Sequence, residues 1–354
     1  MPPTFLLYGA TGYTGSLTAR TAVRRGLTPV LAGRNPAKVK ALAEELGLEW
    51  RAFPLEDGPA LNLALRAVPV VLHCAGPYSR TYKPMVDACL RTGTHYLDIT
   101  GELMEHEALA GRDTEAQAAG VMLLPSVGFD VVPSDCLAAH LKQRLPSATR
   151  LTLAFQSFGG ASRGTLISTL DAADRPGMIR RAGALEPVPA AWKTRAIDFG
   201  QGPVSCTTLP WGDLATAYRS TGIPNIETYM ALPEAQRRVM KSVRYVGWLL
   251  GSKPGKAALM RMAQALPEGP TDAERATGYS LLWGEVTDDA GNRAISRMRT
   301  PHSYTLTAIA SLMVVERVLA GDVPAGYQTP AKAYGADFVL EIEGVIRMDE
   351  PGAN

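Results

Sequence analysis

An α/β fold built on a doubly wound parallel sheet, joined to a second α+β domain that contains an antiparallel sheet, follows from three observations on these 354 residues. Short apolar runs alternate with longer amphipathic segments as far as Pro133, which is the pattern of successive β-α units. The first apolar run ends in a glycine-rich turn, Gly9-Ala10-Thr11-Gly12-Tyr13-Thr14-Gly15. Beyond Pro133 the rhythm changes, and Asp288-Asp289-Ala290-Gly291-Asn292 separates two alternating runs, the mark of a hairpin. Length agrees, because 354 residues exceed what one hydrophobic core comfortably serves. The expected divisions are residues 1–133, 134–300 and 301–354.

In the first division, strands are expected at Phe5–Tyr8, Pro29–Ala32, Glu49–Phe53, Val70–Cys74, His95–Asp98 and Val121–Leu124. Helices are expected between them at Tyr13–Arg25, Ala37–Leu46, Gly58–Ala67, Tyr82–Thr92 and Leu103–Ala119. In the second, a helix at Ser134–Arg144 and a strand at Arg150–Gln156 precede the hairpin of Leu281–Val286 and Ala294–Met298. An apolar helix, Thr305–Ala320, opens the last division, and a shorter helix follows Thr329-Pro330-Ala331.

The glycine turn lies directly between a strand and a helix, the context in which such a motif has chemical meaning. Gly9 permits the tight turn, Gly12 lets backbone approach a pyrophosphate, and Gly15 lets the helix lie close to the strand. Thr11 and Thr14 add hydroxyls, and Tyr13 opens the helix. This is the Rossmann arrangement. At the end of the second strand, Leu31-Ala32-Gly33-Arg34-Asn35 has no carboxylate to accept from a ribose 2′-hydroxyl, and Arg34 offers a fork of donors to a 2′-phosphate. The expected cofactor is therefore NADP, held by Gly9, Thr11, Gly12, Tyr13, Thr14, Gly15, Gly33, Arg34 and Asn35.

Composition narrows the partners. A net charge of +2 supplies no field for nucleic acid or a polybasic anchor. Cys74, Cys89, Cys136 and Cys206 are scattered with no C-x-x-C pair, so neither a disulfide framework nor a metal site is expected. No signal-peptide pattern precedes the first strand, and no uncharged run approaches the ~18 apolar residues of a spanning helix. A cytoplasmic protein is expected. No Ser-His-Asp elbow, H-E-x-x-H or Walker lysine supports a hydrolase or kinase reading.

A second constellation lies at the later strand ends: Cys74-Ala75-Gly76-Pro77-Tyr78, then Tyr96-Leu97-Asp98-Ile99-Thr100-Gly101-Glu102, then Gly128-Phe129-Asp130. Small residues at Ala75 and Gly76 let the chain pass close to a nicotinamide ribose, and Pro77 fixes its exit. Together with Gly9–Gly15, Gly33-Arg34, and Pro210-Trp211-Gly212-Asp213 through Thr221-Gly222-Ile223-Pro224-Asn225, this resembles the saccharopine dehydrogenase-like oxidoreductases, in particular their branch of trans-acting enoyl reductases. The resemblance spans nearly the whole chain. It implies a C-terminal segment, 301–354, that returns to the first domain, and an association with lipid-like substrates.

Hydride transfer needs a group that gives or takes a proton. Tyr78, Asp98, Glu102 and Asp130 are the candidates, with Lys83 beside them. Tyr78 is either a proton donor or an aromatic wall, Asp98 and Glu102 are either acid-base groups or caps of the following helix, and Asp130 either acts on substrate or orients a hinge. His302 and Tyr304 stand before the C-terminal helix, as acid-base or structural residues. Arg163, Arg180, Arg181, Arg195 and Arg219 do not form a convincing cradle for a substrate with several carboxylates, so an apolar substrate fits better.

The stretch 237–256, from Arg237 and Arg238 through Trp248, Leu249 and Leu250 to Lys256, is apolar and rimmed by cations. It reads either as peripheral membrane contact or as a packing or homodimer-forming helix. The function expected is NADPH-dependent reduction of a C=C or C=O bond in an apolar, lipid-like substrate. The alternatives are an amino-acid dehydrogenase of the saccharopine type and a non-catalytic NADP(H)-binding protein associated with lipid or membrane.

Overall fold

The computed structural model describes residues 5–160, 162–171, 175–234, 236–238 and 267–350, with the single positions 255, 261 and 265. Most of the cation-rimmed stretch 237–256 lies outside the described residues. The chain divides into two compact units, 1–132 with 304–333, and 133–303 with 334–354.

The first unit is a seven-stranded parallel sheet flanked by helices. Its elements are β1 (Leu6–Tyr8), α1 (Tyr13–Arg24), β2 (Val30–Gly33), α2 (Pro36–Leu46), β3 (Trp50–Ala52), α3 (Gly58–Leu65), β4 (Val70–His73), α4 (Tyr78–Thr92), β5 (His95–Asp98), α5 (Leu103–Ala110), α6 (Asp113–Ala118) and β6 (Met122–Leu124). To these the later chain adds the helix Ser303–Leu319 and a two-residue strand, Gly326–Tyr327. That strand pairs with β6 and completes the order Gly326–Tyr327, β6, β5, β4, β1, β2, β3. The switch in strand order falls beside β1, so the glycine turn leaves the sheet where ligands of doubly wound folds sit. Leu6, Leu7, Val70, Val71, Leu72, Tyr96 and Leu97 are fully buried, as strands covered on both faces must be.

Most boundaries in this unit shift by only a residue or two, but two helices depart further from the sequence expectation. The helix expected over 103–119 is broken at Gly111 and Arg112 into α5 and α6, since Gly111 closes α5 by donating to the Glu107 carbonyl and the chain restarts at Asp113. Helix α4 starts at Tyr78 rather than Tyr82, with Pro84 in its interior, because a carboxylate from elsewhere in the unit caps its first turn.

The second unit holds a mixed nine-stranded sheet. Its central strand, β7 (Arg150–Phe158), lies parallel to the strand Asn225–Ala231 and antiparallel to Tyr279–Thr287. The expected hairpin is present as Tyr279–Thr287 against Arg293–Pro301. Its turn is closed by Asp288, whose carboxylate accepts from the Ala290 and Asn292 amides. The segment 301–354 does not return whole to the first unit. Ile346–Asp349 pairs antiparallel with Arg293–Pro301 as an edge strand of the second sheet, because its backbone finds its ladder there.

Candidate dinucleotide site

The carboxyl ends of β1, β2, β4, β5 and β6 all lie on one edge of the first unit's parallel sheet, and the loops that leave those ends carry the glycine turn and the acid-base candidates. The glycine turn is held by the Gly9 and Ala10 amides, which donate to the Ala32 carbonyl at 2.8 and 3.1 Å. Gly9 has φ +84°, and a side chain there would stand 2.7 Å from the Cys74 carbonyl carbon and 2.8 Å from the Ala75 nitrogen. Gly15 is required for a different reason, since a β-carbon would collide with the Gly9 carbonyl oxygen. Gly12 is different again. A β-carbon there meets only the Gly9 oxygen, at 3.5 Å, so packing within the protein does not require glycine at this position. Helix α1 then begins with no side-chain cap at Gly12 and no acid in its first turn, the condition in which first-turn amides serve an anion. These features fit the pyrophosphate of a dinucleotide. Gly9→Ala is expected to cost about 3 kcal/mol, from backbone strain and overlap together, read as a lower urea midpoint.

Gly33 and Arg34 follow at the end of β2. Arg34 is exposed and forms no ion pair among the described residues. Asn35 has another task, since its side-chain oxygen accepts from the Lys38 amide at 3.0 Å and caps α2. Ala75, Gly76 and Pro77 lie in the β4–α4 loop, with Cys74 and Ala75 packed against Gly9.

The acid-base candidates separate once their partners are visible. Tyr78 is buried, with its phenol donating to the His73 carbonyl at 3.0 Å and its ring edge-on to His73. Burial, with the Cys74 thiol and the Asp98 carboxyl nearby, raises its pKa far above the usual phenol value. The Tyr78 phenol proton is thus engaged within the fold, at the His73 carbonyl. Glu102 does cap a helix, but α4 and not the one that follows it. Its two carboxylate oxygens accept from the Tyr78 and Ser79 amides at 3.0 and 3.1 Å, tying the β5 loop to the Gly76–Pro77 loop. Lys83 pairs with Asp87 on an exposed face of α4.

Asp98 is wholly buried and accepts from the Tyr96 hydroxyl at 2.6 Å and from the Thr100 and Ser126 amides at 2.9 and 2.8 Å. Burial outweighs these bonds and lifts its carboxyl to about 6. It is a brace between the ends of β5 and β6. Asp130 differs. Its carboxylate lies against Gly101, where a β-carbon would be 3.0 Å from Oδ2, and burial pushes its carboxyl up to about 7. It is only partly buried, so of the four candidates it joins neutral-range titration to access. His302 belongs to the second unit, packed so tightly on Gly159 and Gly278 that neither has room for a side chain.

Sequence reasoning misses the polar chain beneath these loops. Ser126 holds φ +58° and donates to the Thr100 carbonyl. With that proton committed, its oxygen receives from His106 Nε2, 2.6 Å away, and His106 Nδ1 in turn accepts from the Tyr327 hydroxyl at 3.1 Å. No motif marks these residues, because the contacts join positions 20 and 221 apart in the chain.

His73 is the opposite case, fully buried with neither ring nitrogen bonded among the described residues. Burial lowers its pKa to about 3. Below pH 6.5 the unfolded chain gains a proton that the folded chain refuses, so stability is lost as pH falls from 6.5 toward 3. His73→Leu is expected to remove that loss and to stabilise the protein by about 2 kcal/mol at pH 5, measured by denaturant unfolding.

Residues 5–124 match the model of the saccharopine dehydrogenase NADP binding domain. The match supports a nicotinamide cofactor for this stretch. Over 148 residues the chain is 36% identical to the trans-acting enoyl reductase of Mycobacterium ulcerans and 37% identical to that of Mycobacterium leprae. These alignments take in 39% and 40% of this chain and 35% of each relative, so the chain spans well under half the length of the curated relatives it matches. The apo saccharopine dehydrogenase (L-Glu forming) of Saccharomyces cerevisiae is similar in fold at TM-score 0.68 and 13% identity, over 99% of this chain and 100% of that one. Among the described residues, no helix is long and apolar enough to cross a membrane.

Proposed function

We propose that this chain is an NADPH-dependent oxidoreductase that reduces a C=C or C=O bond in an apolar, lipid-like substrate, with Asp130 as the group that supplies the proton. The observation that supports it most is that one sheet edge joins a saccharopine dehydrogenase-type dinucleotide turn to a carboxyl, that of Asp130, which burial pushes up to about 7. The Gly9–Gly15 turn would hold NADPH, and the chemistry the nicotinamide would supply there is hydride donation to an electrophilic carbon. Arg34 selects the 2′-phosphate. Glu102 and Asp98 hold the loops on either side of Asp130 in place, and Asp130 in its acid form gives its proton to the carbon or oxygen that has gained the electron pair. The proton is restored from solvent, so one substrate, one NADPH and one proton yield the reduced product and NADP⁺.

The apolar reading of the substrate is supported by the arginines of the second unit. Arg180 spends its donors on the Leu214 and Gly183 carbonyls, Arg181 pairs with Glu186, and Arg195 pairs with Glu285. Those three are committed within the fold instead of converging on a polyanion. The name of the mycobacterial relatives supports the C=C arm.

The deciding experiment mixes purified protein and NADPH with enoyl thioesters, ketones and amino-acid imine pairs and follows the absorbance of the reduced nicotinamide. Oxidation with an enoyl thioester or ketone is expected. Tight NADPH binding with no oxidation across the panel overturns the catalytic reading, and oxidation with the imine pair alone replaces it with an amino-acid dehydrogenase.

A further inference from the structure

The helix Ser303–Leu319 reaches both halves of the dinucleotide edge from one of its faces. Tyr304 meets the glycine turn, its ring edge-on to Tyr13 at 5.0 Å between centroids and 88° between planes. Thr307, three residues along and on the same side of the helix, meets the loop before Asp130. Its Oγ1 accepts from the Phe129 amide at 2.9 Å, and its methyl lies where a side chain on Gly128 would stand, 2.8 Å away. Within the loop, the Val132 amide donates to the Gly128 carbonyl at 2.9 Å. The buried Phe129 amide has thus been given to a side chain of a helix 178 residues distant. Tyr13 is the first residue of α1, directly after Gly12, and Phe129 directly precedes Asp130.

We propose that Tyr304 and Thr307 are positioning residues, a gauge on one helical face that sets the separation between the dinucleotide turn and Asp130. Neither touches reacting atoms. Tyr304 acts through Tyr13 on cofactor affinity, and Thr307 acts through Phe129 on the placement of the Asp130 carboxyl; the second half rests on the proposed role of Asp130. The two residues are thereby assigned separable effects, which a general loss of packing would not produce.

The test uses the full chain with Tyr304→Ala, Tyr304→Leu, Tyr304→Phe, Thr307→Val and Thr307→Ser. NADPH dissociation constants are read from nicotinamide fluorescence, and amide exchange over residues 127–131 is read by mass spectrometry, neither of which needs a substrate. Tyr304→Ala and Tyr304→Leu are expected to weaken NADPH about 5-fold, with Tyr304→Phe near wild type and exchange at 127–131 unchanged. Thr307→Val is expected to leave NADPH affinity unchanged, to speed exchange at Phe129 about 10-fold, and to lower kcat about 10-fold at constant KM, with Thr307→Ser restoring both. Two aliphatic variants at Tyr304 keep the test open should one fail to fold. Any other pattern in binding and exchange, including equal effects of both positions on both quantities, overturns the gauge. If binding and exchange follow expectation while Asp130→Asn retains full turnover, the gauge stands and the role of Asp130 falls.

Discussion

Asp130→Asn is expected to lower NADPH oxidation about 100-fold or more, the range for loss of a positioned acid, while leaving NADPH affinity unchanged and making the protein more stable at pH 8. The two effects share one cause. Burial holds the Asp130 carboxyl at about 7, against 3.8 for an ordinary aspartate. The folded state therefore binds that proton more tightly than the unfolded chain does. Stability from this group is fully present below pH 3.8 and is lost as pH rises through about 7. An amide cannot ionise, so the variant keeps what the wild type loses, about 2 to 4 kcal/mol by pH 8. Urea midpoints at pH 4 and pH 8 check it. Equal midpoints at both pH values would show that the carboxyl is not held near neutrality, and the case for it as proton donor would go with that result.

Arg34→Glu should be the most damaging change to cofactor binding that leaves the fold intact. The guanidinium is exposed and unpaired by any carboxylate among the described residues, so its loss removes no internal contact. A charge-assisted bond to phosphate is worth about 1.5 to 3 kcal/mol, and reversing the sign adds repulsion. NADPH affinity should fall about 100-fold or more, while NADH, which lacks the 2′-phosphate, binds as well as before or better. Fluorescence titration with both nucleotides settles it. If the two affinities fall together, Arg34 reads no phosphate.

The sequence shows the strand-and-helix alternation, the glycine turn and the arginine at the end of the second strand because each is local: a strand, a turn and a helix start fall within one short run. It places the acid-base groups poorly because their roles are set by distant partners. Tyr78 looks like a proton donor from its place after Gly76-Pro77, and only the fold shows its phenol turned to the His73 carbonyl. Glu102 looks like the cap of the helix that follows it, but caps one 24 residues earlier in the chain. The strand Gly326–Tyr327 has no periodicity to detect in two residues, and Ile346–Asp349 alternates too briefly to reveal which sheet it joins.

That two-residue strand has a consequence for how the chain is made. The first unit is written in two pieces, with nearly all of the second unit between them. As the chain emerges from the ribosome, β6 is complete at Leu124, yet the strand that covers its outer edge arrives only with Gly326 and Tyr327. Throughout that interval the apolar run Met122–Leu124 is an open edge, the kind of surface that recruits stray strands. His106 likewise waits for the Tyr327 hydroxyl to satisfy its second nitrogen. The first unit thus begins first but is closed only once residues 304–333 have been made, and synthesis of residues 133–303 is the window in which the nascent protein is most exposed to misassembly.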